Sequence, residues 1–368
     1  MENYDNFEKQ IKRRRFFRTL ISSVVIGASA IGGYFLVDYF VTKNKNKVNL
    51  LVNPVVIEKK IDEENKDNEV KIEDNLEDIV YEIQLDEKEY SFKDRYYEIF
   101  KDYNNQELKE IYQNVEQIKK LGISNKKLDL LVQYLPEISD ASKKYGVPIY
   151  VLGGIMLYVG DGTLKAYDKK TDCAGIYQIQ RNTARELKLW MNESVDYRFF
   201  PEFAINAAAK HLKWLKDVFS RWDLAILAYN QGEKRVKQLM EEIIAMNYHD
   251  VRSINELRYY DLKNNEQLLK MYEGFEKYGK NYLESILASW ELFLENKEKI
   301  KAIKTKYYFY ETTRSDYTLE ELSVIFQIPL EELIAENPQI RDINNIPTGA
   351  LIRIPKEKYK MDPNYYIK

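Results

Sequence analysis

Apolar residues recur along this chain mostly at helical spacing, in blocks separated by charge. The first block differs in kind. Thr19 to Val41 is apolar apart from Ser, Thr, Gly and a late Asp38, a length that crosses a bilayer as a helix. Lys9, Lys12, Arg13, Arg14, Arg15 and Arg18 precede it, so the positive-inside asymmetry keeps residues 1–18 in the cytoplasm and sends the rest outside. Two readings fit this segment: an uncleaved anchor over 19–41, and a signal peptide cut at Ala28-Ser29-Ala30. The apolar run continues through Tyr34-Phe35-Leu36-Val37, past that cut, which favours the anchor. The expected location is therefore the inner (cytoplasmic) membrane, single pass, with the bulk of the chain extracytoplasmic.

Residues 42–89 carry mixed-charge runs such as "EKKIDEENKDNEVKIEDNLED" with little apolar periodicity, and are expected to form a solvated linker. From 90 to 300 the helical period returns. In "NNQELKEIYQNVEQIKKLG", Leu108, Ile111, Tyr112 and Val115 form one stripe, with Gly122 as the stop. "LDLLVQYLPEISDASKKYG" ends at Gly146. Val147-Pro148 then opens an almost wholly apolar helix that breaks at Gly160-Asp161-Gly162. "PEFAINAAAKHLKWLKDVF" sets Ala204, Ala208, Leu212, Leu215 and Phe219 along one side. Trp222 to Leu227 leads into "AYNQGEKRVKQLM", and after a loop comes "YGKNYLESILASWELFLENKEKI". Residues 306–356 change character, to a tyrosine-rich strand, two short helices and a closing "GALIRIP". The pattern predicts a mainly α protein with a small βααβ unit at its end, and no repeat.

The 368 residues leave room for two or three modest domains. A net charge of -3 from 56 basic and 59 acidic residues gives no field that would draw nucleic acid. One cysteine, Cys173, excludes a disulfide framework and a CxxC metal site. With only His211 and His249, zinc hydrolysis and Ser-His-Asp chemistry are disfavoured. His211 sits among alanines on a helix and reads as a packing residue. Carboxylates, amides and tyrosines remain for chemistry; no cofactor and no metal are expected.

Five motifs follow one another in the helical part. They are Gly175-Ile176-Tyr177-Gln178, Thr183-Ala184, the lead Asp196-Tyr197-Arg198-Phe199-Phe200-Pro201, Ala208-Ala209, and Ala228-Tyr229-Asn230-Gln231-Gly232. A weaker echo is Gly279-Lys280-Asn281-Tyr282-Leu283. Their order resembles that of lytic transglycosylases, lysozyme-like enzymes that cleave bacterial cell-wall glycan. Gln178 and Asn230 offer donors and acceptors suited to hydroxyls and N-acetyl groups. Tyr177 and Tyr229 each offer a face for a sugar ring and a polar tip. Asn230 also fits a plainer role, tying two helices together.

The resemblance implies a single Glu at the end of the preceding helix. It would protonate the glycosidic oxygen, then act as base while the sugar's own 6-hydroxyl closes an anhydro ring. Counted back from Gly175, the family spacing reaches Gly160, with Asp161 one residue later; Gly162 then stands at the usual Ser. No Glu lies between Val151 and Tyr167. An Asp carboxyl falls short of a Glu's by about 1.5 Å, and a misplacement of about 1 Å costs on the order of a hundredfold in rate. Gly160 and Gly162 would let the backbone advance, but they also loosen the acid. Both an active Asp161 and a degenerate site stay open, and the shorter acid favours the degenerate one.

At the C-terminus, Tyr308-Phe309-Tyr310 reads as a first strand. Leu322, Phe326, Ile328 and Leu333 read as core, Asn337-Pro338 as a helix stop, and Ile346 to Pro355 as the ending. This resembles a LysM domain, a βααβ module that binds N-acetylglucosamine-containing glycans. Asp316-Tyr317-Thr318-Leu319 stands where Gly-Asp-Thr-Leu is usual, so the glycine is lost. The resemblance implies a groove between 315–318 and 344–348, offering Asp316, Thr318, Asn344 and Asn345.

The expected protein is thus a membrane-anchored, peptidoglycan-binding envelope protein with a lysozyme-like domain over 90–300 and a LysM domain over 306–356. The alternatives are an active anchored lytic transglycosylase using Asp161, and a purely structural envelope tether. Glycan strands and the membrane are its expected partners, and the LysM part is expected to fold by itself.

Overall fold

A computed structural model describes residues 91–246, 253–296 and 307–355, and the backbone course of 51–52, 55–60 and 80–85. The expected basic tail and anchor lie outside these residues. Among the described residues, no helix is long and apolar enough to cross a membrane. The 42–89 segment, expected to be a featureless linker, contains three antiparallel strands: β1 (Leu51–Val52), β2 (Val55–Lys60) and β3 (Val80–Leu85), with Ile57 opposite Ile83. The surrounding charge hides two short runs, "VVIEKK" and "VYEIQL", whose β-branched residues suit strands.

The helical body is built on seven longer helices. They are α1 (Asn105–Lys119), α2 (Asn125–Tyr145), α3 (Ile149–Val159), α4 (Pro201–Phe219), α5 (Trp222–Gln231), α6 (Glu233–Ala245) and α7 (Tyr282–Glu295). Helix α1 starts at a capping box between Asn104 and Glu107, which satisfies two otherwise orphaned N–H groups. Leu108, Ile111 and Val115 are buried as their spacing predicts. Tyr112, assigned to the same stripe, is exposed instead, its ring 5.3 Å from that of Phe92. Helix α4 opens on Pro201, whose missing N–H costs nothing in a first turn, and it buries all five residues of its predicted stripe.

Helix α3 is apolar all round and buried from Ile149 to Leu157, as a central helix must be. It packs against α2 and α7. Its approach to α7 depends on two missing side chains. A Cβ on Gly153 would lie 2.3 Å from the Trp290 ring, and one on Gly154 would lie 2.6 Å from the Ile286 carbonyl. Helix α7 begins later than the pattern suggested, because Tyr278 and Gly279 close three short helical turns over Tyr259–Lys263, Glu266–Met271 and Glu273–Tyr278.

The C-terminal part has the expected βααβ order: β7 (Tyr307–Glu311), α8 (Leu319–Phe326), α9 (Leu330–Glu336) and β8 (Leu351–Pro355), with β7 and β8 antiparallel. It is not a free module. Its core of Leu322, Phe326, Leu333, Ile346 and Ile354 is closed by Val195, Tyr197 and Phe200 of the helical body. Backbone bonds join the two parts, from Asp196 N–H to Gln339 O (2.8 Å) and from Arg341 N–H to Ser194 O (2.8 Å). Arg353, wholly buried on β8, donates to the Tyr134 hydroxyl of α2 at 2.7 Å and lies 3.6 Å from Glu202 of α4.

Candidate glycan-facing site

The site forms where α3 ends and a small sheet begins: β4 (Tyr167–Asp168), β5 (Cys173–Ala174) and β6 (Ile179–Gln180). Gly175 turns the chain between β5 and β6 at φ +76°, and a Cβ there would lie 1.9 Å from the Arg198 carbonyl. No other residue fits this close approach in left-handed backbone. Arg198 organises the loop from beneath. Its guanidinium bonds the Asp196 carboxylate (2.8 Å), the Asp172 carbonyl (2.5 Å) and the Ile179 carbonyl (3.2 Å). Arg181 holds the Asp172 carboxylate from the other side at 2.5 Å. From sequence, Arg198 had entered only as part of a lead into a helix. Its spacing of two from Asp196 was the available signal, since both now form one buried ion pair.

Gln178, at φ +47°, is half-buried, and its side-chain amide donates to the carbonyls of Gly175 (2.9 Å) and Ala166 (3.2 Å). Its donors are thus used inside the loop, and its Oε1 is what it can offer a ligand. Tyr177 is not a sugar platform. It is wholly buried, its hydroxyl has no hydrogen-bond partner among the described residues, and burial pushes its pKa far up. The turn through Gly175 and Gln178 carries Ile176 and Tyr177 together into the core.

Tyr229 does reach the site. Its ring is half-buried, and its hydroxyl donates to the Tyr177 carbonyl at 2.9 Å, joining α5 to the loop. Behind it, 5.7 Å away, lies the His211 ring. Burial holds His211 at a pKa of about 4, so it is neutral near pH 7, in keeping with a packing role. Asn230 is exposed, and among the described residues its Oδ1 accepts only from neighbouring Gln231, at 2.5 Å. It therefore does not tie two helices together; its amide faces water and is free to meet a ligand.

Asp161 lies beyond the helix end. The last residue of α3 is Val159, half-buried, followed by Gly160 in extended backbone. Asp161 is exposed, and its Oδ1 accepts from both the N–H and the hydroxyl of Thr163, each at 2.8 Å. Lys127 caps α3 by donating to the Leu157 carbonyl at 2.9 Å; burial lowers its pKa, opposed by the charge of Asp161. Tyr158, 41 % exposed, presents a ring at this helix end against Tyr282, 5.4 Å away. Among the described residues, no wholly buried carboxylate is free to replace the acid. The buried acids Glu107, Asp196, Asp223, Glu284 and Glu291 are paired with Arg258, Arg198, Arg221, Lys263 and Arg95 respectively.

The second set of candidates comes together in the βααβ part. Ile346 N–H donates to the Tyr317 carbonyl at 2.9 Å, and Leu319 N–H to the Ile343 carbonyl at 2.7 Å, so 315–318 and 344–348 lie side by side. Asp316, Asn344 and Asn345 are exposed. Thr318 is occupied with a structural task, capping α8 in a box with Glu321. Arg314 lies over the Tyr317 ring at 4.3 Å and pairs with Asp316 and Glu321, each at 3.1 Å.

Comparison with known proteins bears on the helical body. Residues 137–245 match the family model described as Transglycosylase SLT domain, a span containing Asp161, Gly175 to Gln178, Tyr229 and Asn230. The match ends before the βααβ part. No curated protein matches the chain. Among solved structures, the chain is similar to the X-ray structure of an inactive mutant of lytic transglycosylase Slt from Pseudomonas aeruginosa. The identity is 16% and the TM-score 0.33, over 46% of this chain and 25% of that one. This chain thus spans a quarter of that protein's length.

Proposed function

We propose that the protein binds peptidoglycan glycan strands and that its transglycosylase-like site cleaves them weakly or not at all. The SLT domain match gives the peptidoglycan-related, transglycosylase-like character. One observation carries the finer reading: the helix that should deliver a carboxylate delivers Val159, and the nearest acid, Asp161, is exposed and turned back onto Thr163. A proton donor acting on a glycosidic oxygen needs fixed geometry at the reacting atom, and Asp161 spends one oxygen on its own turn. Binding groups survive around it, in Gln178 Oε1, the Asn230 amide and the Tyr158 and Tyr229 rings.

The βααβ part is proposed to be a LysM-type glycan binder. Its order of elements and its paired loops bearing Asp316, Asn344 and Asn345 support this reading. The apolar 19–41 segment is proposed as an uncleaved anchor that places both binding surfaces outside the cytoplasm. Incubation of the full chain with peptidoglycan, followed by mass spectrometry of the soluble products, tests the weak-cleavage reading. Little or no anhydro-muramyl product is expected, and no change with Asp161→Asn. Abundant anhydro product that disappears in Asp161→Asn would instead establish an active transglycosylase using that acid.

A further inference from the structure

Helix α4 buries one side in the core and turns a face of lysines and aromatic rings outward. That face runs through Phe203, Asn206, Lys210, Lys213, Trp214 and Asp217. Phe203 is 38% exposed and Trp214 46%, and the two stand about 16 Å apart along the axis. Trp214 is held in place, its indole stacked on His211 at an interplanar angle of 16° with centroids 5.6 Å apart. His211 is uncharged near pH 7, so one indole face rests on a neutral ring and the rest stays open to solvent. Cations gather around it. Lys210 is exposed and has no acidic partner among the described residues. Lys213 pairs with Asp217 one turn on, at 2.5 Å. Lys216 donates to the Ser220 carbonyl at 2.8 Å. Burial and then the charge of Lys101 lower its pKa, with Lys213 adding to this and Asp217 and Glu98 opposing. Four lysines thus meet two acids on and beside this face, in a chain whose net charge is -3.

We propose that this face of α4 docks on an anionic phospholipid surface, with Trp214 and Phe203 entering the interfacial layer and Lys210, Lys213 and Lys216 meeting headgroup phosphates. Tryptophan settles at the boundary between headgroups and acyl chains, and helices that lie in this plane carry lysines beside aromatic residues. Each lysine near such a surface adds to the attraction. An uncharged sugar ring would stack on the indole but would leave the lysines unused; a lipid surface meets both. The docking rests on the reading of 19–41 as an anchor, which tethers the helical body beside the membrane. Because α4 starts at Pro201, shortly after Arg198, docking also fixes how the glycan-facing loop is presented to the wall.

The test uses the full chain reconstituted into vesicles whose brominated acyl chains quench indole fluorescence at the interface. One set mixes phosphatidylglycerol with phosphatidylcholine; the other is phosphatidylcholine alone. Trp222 and Trp290 are buried and Trp190 packs against Tyr197, so the signal of Trp214 is the part of the quenching that Trp214→Phe removes. That part is expected in the anionic vesicles. Lys210→Gln and Lys213→Gln are each expected to weaken the docking about fivefold, read as loss of most of this quenching. Lys237→Gln on α6, outside this face, is expected to keep it. No Trp214 quenching in anionic vesicles that hold the chain overturns the docking and leaves the anchor intact, as does equal quenching in both vesicle sets. Trp214 emission that shifts with soluble glycan fragments and not with vesicles assigns the ring to sugar, and also overturns the docking. A chain that does not float with the vesicles overturns the anchor reading, and the docking with it.

Discussion

Gly175→Ala is expected to destabilise the protein by on the order of 3 kcal/mol. The left-handed backbone alone costs a side chain about 1 kcal/mol, and forced overpacking adds about 1–3 kcal/mol. Here the new Cβ would meet the Arg198 carbonyl at 1.9 Å, and that carbonyl cannot retreat easily. The same residue's guanidinium is tied to Asp172, Asp196 and Ile179, so a shift at Arg198 loosens the whole loop carrying Gln178. A urea titration reads the effect as a lower midpoint at unchanged slope. The control is Gly274→Ala, where nothing lies within 4 Å of the added Cβ and the helical setting favours alanine. A loss of less than about 1 kcal/mol in Gly175→Ala would mean that the turn is not held as described.

The second large effect is expected at the seam between the two parts. Arg353→Ala removes a wholly buried cation that bonds Tyr134, stands 3.6 Å from Glu202 and lies 3.9 Å from the Tyr307 ring centre. Breaking such a pair costs about 3–5 kcal/mol, because the remaining charge stays buried without its partner. Glu202 is that charge. Burial already raises its pKa, with Arg353 opposing, so loss of the arginine drives it toward the neutral form. Arg353→Met keeps most of the volume and is expected to lose less. A thermal melt followed separately from the Tyr-rich β7 region and from the helical body should fall together in both signals. A change confined to the βααβ signal would show that the seam is not shared.

The sequence made the helices legible wherever one face met the core. Ala204, Ala208, Leu212, Leu215 and Phe219 are buried as spaced, and the all-apolar α3 lies at the centre. Motif order located Gly175, Gln178 and Tyr229 in one place in the fold. Tyr177 was misread because its burial depends on the positive φ of Gly175 and Gln178, which bracket Ile176-Tyr177, and the residue type alone does not carry that. Tyr112 illustrates the same limit on a helix, where one edge of a stripe faces out.

The docking of the βααβ part had no local signal. Tyr134, Glu202 and Arg353 are brought together from three distant elements, and nothing in the local pattern of any one points to the other two. Asp196 and Arg198 likewise read as polar lead-in residues until the loop above them is in place. The strands over 51–52, 55–60 and 80–85 were lost in a segment whose average is strongly charged.

The proposed function requires that the protein hold peptidoglycan. Its net charge of -3 gives no general attraction to an anionic polymer, so retention has to come from specific contacts and should survive moderate salt. The direct measurement is co-sedimentation of the full chain, in mild detergent, with purified peptidoglycan sacculi at rising salt. The protein is expected to pellet with the sacculi and to be displaced by excess soluble glycan fragments. Protein that stays in the supernatant at every salt concentration, while remaining folded, would contradict it.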